Sequence, residues 1–214
     1  MTLQRTLLIT IIALAIALTW AGTRMLLAGG YAHQSKLFLQ DWRSKPAPVE
    51  KAWQVAEHAA RQAVALYPVA NGQYYEQLGR VYHYRHRNLP TGSAQATASR
   101  EQAASAYRQA IAARPQWPYS RLRLASVLKS QRQYNDEYKQ ALTQGFAHGP
   151  WHGWIVRQSA YLGLISWHTL NTAQQQTITT AIEHGLAQSA KSKKYITGLL
   201  TRLNRQDLLA RSGE

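Results

Sequence analysis

Cysteine is absent from this chain of 214 residues. Disulfides, a thiol nucleophile and cysteine-based metal sites are therefore excluded, although no cellular compartment is. Acidic side chains are scarce too, with 10 Asp and Glu against 25 Lys and Arg. Such an imbalance points to an anionic partner: a membrane surface, an acidic polymer, nucleic acid or an acidic protein face. Catalytic patterns are also missing. There is no glycine-rich phosphate loop, no His-Glu-x-x-His sequence and no nucleophile elbow. Valine and phenylalanine are sparse while Ala, Gln, Arg, Leu and Tyr abound, a balance that favours helices. The length suits one domain with a small appendage.

Charge disappears entirely between residues 6 and 23, and residues 7–18 are almost wholly aliphatic. Eighteen such residues reach the lower limit for crossing a bilayer core. If the helix continues to Leu27, Arg24 can snorkel to the interface beside Trp20. A retained membrane anchor over residues 1–28 is the first reading, and a cleaved signal ending at Gly30-Tyr31-Ala32 is the second. Arg24 and Met25-Leu26-Leu27 separate the apolar block from that cleavage site and weigh against it. A buried core helix is the third. On sidedness two arguments oppose each other. Arg5 precedes the segment while Arg24, Lys36 and Arg43 follow it, which leans towards a cytoplasmic body. Long domains translocate largely regardless of charge, however, and the segment stands where an export signal stands. The expectation is a single-pass inner-membrane protein with a periplasmic body.

Residues 29–48 read as a connector. A short helix over residues 33–41 can lie on the membrane with Leu37, Phe38 and Trp42 facing down, or can pack on the body. Pro46-Ala47-Pro48 marks the start of the soluble domain.

Beyond it the pattern is helical. Ala103, Tyr107 and Ala110 share one helical face, and Pro115 stops that helix. Leu124, Ala125 and Leu128 supply the apolar stripe of the next helix. Ala56, Ala60, Ala63 and Pro68 repeat the first spacing, and Tyr75, Leu78, Gly79 and Tyr82 the second. Glycine in mid-helix costs about 1 kcal/mol relative to alanine, so Gly79 implies a close helix crossing. Gly79→Leu should therefore overpack it, and Gly79→Ala should be mild. The sequence of small, aromatic, small and proline, followed by aromatic, leucine, small and aromatic, resembles a tetratricopeptide repeat. Arg121 departs from it at an aromatic place and Glu137 at a small one. The resemblance implies an all-α stack of antiparallel helical hairpins over residues 49–149, closed by a divergent helical cap over residues 150–214. Tyr82 and Ala103 are twenty-one residues apart, so about twelve residues are inserted relative to the family spacing. They should form an exposed loop over residues 87–99 with a long start to the next helix. Further helices are expected over residues 134–143, 151–170, 172–186 and 192–203, with Asn171 or Thr172 as a cap.

Candidate chemistry is thin. His148 and His152 are four apart, but Gly149-Pro150 breaks the helix that a shared metal would need. His83 and His86 lack a neighbouring acidic ligand, and a Glu76–His83 acid–base pair is better read as ordinary ion pairing. No metal or cofactor is expected. Lys191, Lys193 and Lys194 read first as a solvated helix face. Nucleic acid is disfavoured because neither a recognised fold nor aromatic interleaving accompanies the charge. In the tetratricopeptide family, first-helix residues line a concave groove. The resemblance implies such a groove from Gln73, Glu76, Arg80, His83 and Tyr84, followed by Tyr119, Leu122, Ser126, Lys129 and Ser130. Gln73, Arg80, His83, Tyr84, Tyr119 and Lys129 are its expected partner-binding residues, suited to a peptide or an anionic polysaccharide.

The order of anchor, connector and Trp- and Tyr-containing helical body is similar to small single-pass accessory proteins of bacterial exopolysaccharide machinery, the Vps-type family. That likeness implies a non-catalytic partner of polymer synthesis or export within a membrane complex. A general envelope-complex scaffold is the alternative. A glycan-cleaving helical enzyme is the rival class and would need two carboxylates about 5–10 Å apart, of which Asp136-Glu137 is the sole adjacent pair.

Overall fold

A computed structural model describes residues 2–45 and 47–210. Pro46, read above as part of the start of the soluble domain, lies outside the described residues. Among the described residues there is no strand. The helices are α1 (Thr2–Asp41), α2 (Glu50–Leu66), α3 (Gly72–Arg85), α4 (Thr97–Ala113) and α5 (Pro118–Ser130). They are followed by α6 (Asp136–Ala147), α7 (Gly153–Ile165), α8 (Thr172–Gln188), α9 (Ala190–Arg202) and the short α10 (Asp207–Ala210). From α1 to α9 each helix packs on the next. In addition α1 packs on α3 and α5 on α7, and Glu76 of α3 reaches Ser120 and Arg123 of α5, so that α1, α3, α5 and α7 form a row. The protein is a helical stack preceded by one long apolar helix.

That helix has two halves. Leu7, Ile9, Leu14, Ile16 and Leu18 are all exposed, Leu14 by 59%. Apolar side chains point in every direction there, so no single face could serve a core. The segment is long and apolar enough to cross a membrane, with a mean hydropathy of 2.0 in its best window. Past residue 27 the pattern changes. Ala28, Ala32, Ser35, Leu39 and Trp42 are buried at alternating steps of four and three, the spacing of one helical stripe. This stripe packs on α2 and α3. Residues 29–41 are therefore not a connector but the first helix of the first hairpin, the packed alternative weighed above. Leu37 stays exposed, while Phe38 and Trp42 turn into the core.

Arg24 joins the two halves to the body. Its guanidinium stacks over Trp20 at 4.6 Å and donates to the carbonyls of Ala65 at 2.7 Å and Leu66 at 3.1 Å. A cation there satisfies carbonyls that the end of α2 leaves open and favours its negative pole.

Small residues set the hairpin crossings. The α2 face is Ala56, Ala59, Ala60 and Ala63 beside Trp53, whose indole donates to Val81 O at 2.8 Å. A Cβ on Gly79 would lie 2.7 Å from Cε1 of Tyr107, which is itself fully buried. The close crossing is as expected, but even alanine cannot fit without displacing that ring. The expectation that Gly79→Ala is mild is thus corrected. Arg121, in the aromatic place, closes the preceding turn by donating to Pro115 O at 3.0 Å. Glu137 faces outward to a bidentate pair with Arg108 at 2.6 and 2.8 Å, and Tyr138 takes the buried position instead. With the register shifted by one, Gly145 meets Leu122 and α6 runs to Ala147, past its expected end at residue 143. Gly163 against Ile178 and Gly185 against Ile196 repeat the device in α7, α8 and α9. A capping box starts α8, in which Gln174 N donates to Asn171 Oδ1 at 2.9 Å.

The insertion after α3 is mostly exposed, as expected, yet it is tied down. Arg100 is 4% exposed and donates to the carbonyls of Ser130, Leu89 and Pro90 at 2.8, 2.9 and 3.1 Å. Gly92, at φ +81°, adds a backbone bond to Ser130 O at 2.9 Å.

Candidate functional site

The row α1, α3, α5 and α7 carries two clefts of about 370 Å³ each. Lys36, Gln40, Arg43, Gln73, Glu76, Gln77, Arg80, Arg114 and Trp117 line the first. Arg43, Arg80, Tyr84, Tyr119, Arg123 and Trp154 line the second. Arg43 and Arg80 belong to both, so the two form one trough across the helix row. Five basic side chains face it against the single carboxylate of Glu76.

That carboxylate is already committed. Glu76 accepts from Trp117 Nε1 at 2.9 Å, Ser120 Oγ at 2.9 Å and Arg123 Nε at 3.2 Å. It locks α3 to α5 and leaves the other cations of the trough uncompensated. Arg80 is the clearest case. It forms no ion pair with the described residues, and its Nε, buried within a half-buried side chain, lacks a hydrogen-bond partner among them. Burial, and then the neighbouring Arg123, hold its pKa below the usual arginine value.

Aromatic rings support the guanidinium groups. Tyr119 stacks on Trp154 with centroids 5.3 Å apart, and Trp117 lies 5.1 Å from Tyr119 on the other side. Arg123 sits over Trp154 at 5.1 Å and Arg114 over Trp117 at 4.2 Å. With their faces covered by one another and by arginine, these rings hold planar donors in fixed positions. Planar guanidinium groups so held suit carboxylate or phosphate oxygens.

Four of the six residues expected from sequence line the trough: Gln73, Arg80, Tyr84 and Tyr119. His83 and Lys129 do not line either cleft. They lie near each other towards the C-terminal ends of α3 and α5, with Lys129 3.4 Å from Tyr161 Oη. His83 is neutral at physiological pH because burial, then Arg123, Arg100, Lys129 and Arg87, push its pKa down to about 4. Leu122 is fully buried under Gly145 and leaves the groove. Lys36, Gln40 and Arg43 were not expected there, because α1 was not read as part of the helical stack. Nor were Arg114, Trp117, Arg123 and Trp154. The alternating burial of Ala28, Ala32, Ser35, Leu39 and Trp42 was the available signal for the first group.

The remaining histidines do not line the trough. His86 Nδ1 pairs with Ser99 Oγ at 2.9 Å, and His152 packs against Tyr119. Among the described residues no three metal-ligating side chains gather. Lys191, Lys193 and Lys194 form the exposed face of α9, opposite buried Ser192, Ile196, Leu199 and Leu200. No family profile matches the chain, and no curated protein matches it in sequence.

Proposed function

We propose that this chain is a membrane-anchored, non-catalytic interaction protein, built as a tetratricopeptide-like stack, that serves bacterial exopolysaccharide synthesis or export. Its anchor stays attached in the inner membrane, its body lies in the periplasm, and its trough docks an acidic partner of that machinery. The observation that carries the docking is Arg80, a half-buried cation shared by both clefts while the one carboxylate nearby serves Trp117, Ser120 and Arg123. A site that keeps such a cation without an ion-pair partner is complementary to an anion supplied from outside. Retention of the anchor is supported by Ala28 and Ala32, at 0% and 5% exposure. Cleavage after Ala32 would strip both from the first hairpin.

The test is chromosomal replacement of Arg80 and Arg43 by glutamine, with Lys191→Gln and Lys194→Gln as a matched control. Helical content and membrane level should be unchanged in both strains. Secreted polysaccharide should fall several-fold only in the trough variant. Unchanged polymer together with loss of another envelope complex would move the protein to the general scaffold reading. Loss of polymer in the control alone would place the working surface on α9.

A further inference from the structure

We propose that the turn between α2 and α3 is a second membrane contact, with Pro68, Val69 and Ala70 resting in the interfacial layer of the bilayer that α1 enters. The proposal rests on the reading of α1 as a retained anchor.

Level is fixed by Arg24, the first charge after the apolar span. Its bonds to Ala65 O and Leu66 O hold the end of α2 at that height. Tyr31 meets His58 further along, with centroids 6.2 Å apart, so α2 descends α1 towards the span. The turn after Leu66 therefore lies where α1 leaves the apolar region. Its composition fits that place. Pro68, Val69 and Ala70 are consecutive and exposed, Val69 by 67%, whereas solvated turns are normally polar. No charged residue occurs between Arg61 and Glu76. The connection at the opposite end of α3 contains Arg87, Asn88, Thr91 and Ser93 and is a polar turn of the ordinary kind.

The neighbouring side chains match an interface as well. Trp20 lies under the Arg24 guanidinium, and Tyr67 packs edge-on against Tyr74 beside the turn. Tryptophan and tyrosine favour this layer because each joins an apolar ring to a polar edge. Leu26 is 78% exposed on the side of α1 that α2 leaves open, so apolar surface continues past Arg24. Seated in this way, the body stands upright. Lys36, at the mouth of the trough, is then about 18 Å along the helix from Arg24. That exceeds the roughly 8–10 Å reach of surface charge at ordinary ionic strength, so headgroup charge does not reach Lys36.

The cysteine-free sequence allows single nitroxide labels on the full chain at Val69→Cys, Leu14→Cys and Asn88→Cys. The labelled proteins are reconstituted in vesicles of phosphatidylcholine and phosphatidylglycerol. Collision with dissolved oxygen is then compared with collision with a water-soluble nickel chelate. The Leu14 label should lie deep, Asn88 should be aqueous, and the oxygen-to-nickel ratio at Val69 should exceed that at Asn88 several-fold. A Val69 label as aqueous as Asn88, with Leu14 deep, overturns the second contact and leaves the anchor standing. An aqueous Leu14 label overturns the anchor and the second contact with it.

Discussion

The two halves of α1 share one helix but have opposite fates. Before Arg24, leucine and isoleucine occupy every side, and none finds a partner in the body. After Leu27 burial keeps to one stripe, Ala28, Ala32, Ser35, Leu39 and Trp42, while Leu37 off the stripe stays exposed. Hydrophobicity alone does not say what a helix packs against. Its angular distribution does: an apolar surface all round calls for an apolar environment on every side, and a stripe calls for a neighbour. Arg24 marks the change with one side chain, stacked on Trp20 below and bonded to α2 beside it.

The largest expected effect separates the halves directly. Leu39→Ala removes a fully buried side chain and should destabilise the body by about 2–5 kcal/mol. Leu14→Ala should leave the body's denaturant midpoint unchanged in detergent. Equal losses would mean that the first half packs on the body.

Glycine substitutions sharpen the contrast. Gly22→Ala meets nothing within 4 Å and should be neutral or slightly stabilising. Gly79→Ala pushes a Cβ into the Tyr107 ring, and overpacking of this kind costs about 1–3 kcal/mol. Thermal unfolding of the two variants side by side checks both signs.

Acid should act on one half only. Residues 6–23 contain no titratable side chain, whereas His83 lies inside the stack. Its folded pKa is about 4, below the ordinary value of 6.5, so between those values the unfolded chain binds more protons. The corresponding stability is complete above about pH 6.5 and is lost as pH falls towards 4. Allowing for the ring's remaining solvent contact, the loss should be of order 1 kcal/mol. Denaturant midpoints between pH 7 and 4 should show it, and His83→Gln should flatten the curve. The apolar half of α1 should show no change over the same range.

Helices and hairpin crossings were legible in the sequence where short-range spacing controls them. Ala103, Tyr107 and Ala110 are buried together, Gly79 sits at a close crossing, and Asn171 caps α8. Residues 29–48 were read as a connector with two alternatives for a helix over residues 33–41, on the membrane or on the body, and the buried stripe of Ala32, Ser35, Leu39 and Trp42 decides for the body. The α6 register was hidden because Glu137 and Tyr138 are adjacent, and only Arg108 on α4 decides which of them turns outward. Half of the trough follows from such long-range choices. Gln73, Arg80, Tyr84 and Tyr119 could be placed by repeat position. Arg123 and Trp117 join the trough through Glu76, a contact across more than forty residues that no local pattern encodes.

On the proposed reading, one unbroken helix carries the chain from the bilayer into the body. The most direct test is the distance between nitroxides at Leu14→Cys and Leu37→Cys, both exposed positions, measured by pulsed electron resonance in lipid nanodiscs. Twenty-three residues of continuous helix span about 35 Å. A single narrow distribution near that distance, widened only by the label arms, is predicted. A broad distribution at shorter distances would reveal a hinge at Gly29-Gly30 and contradict the claim.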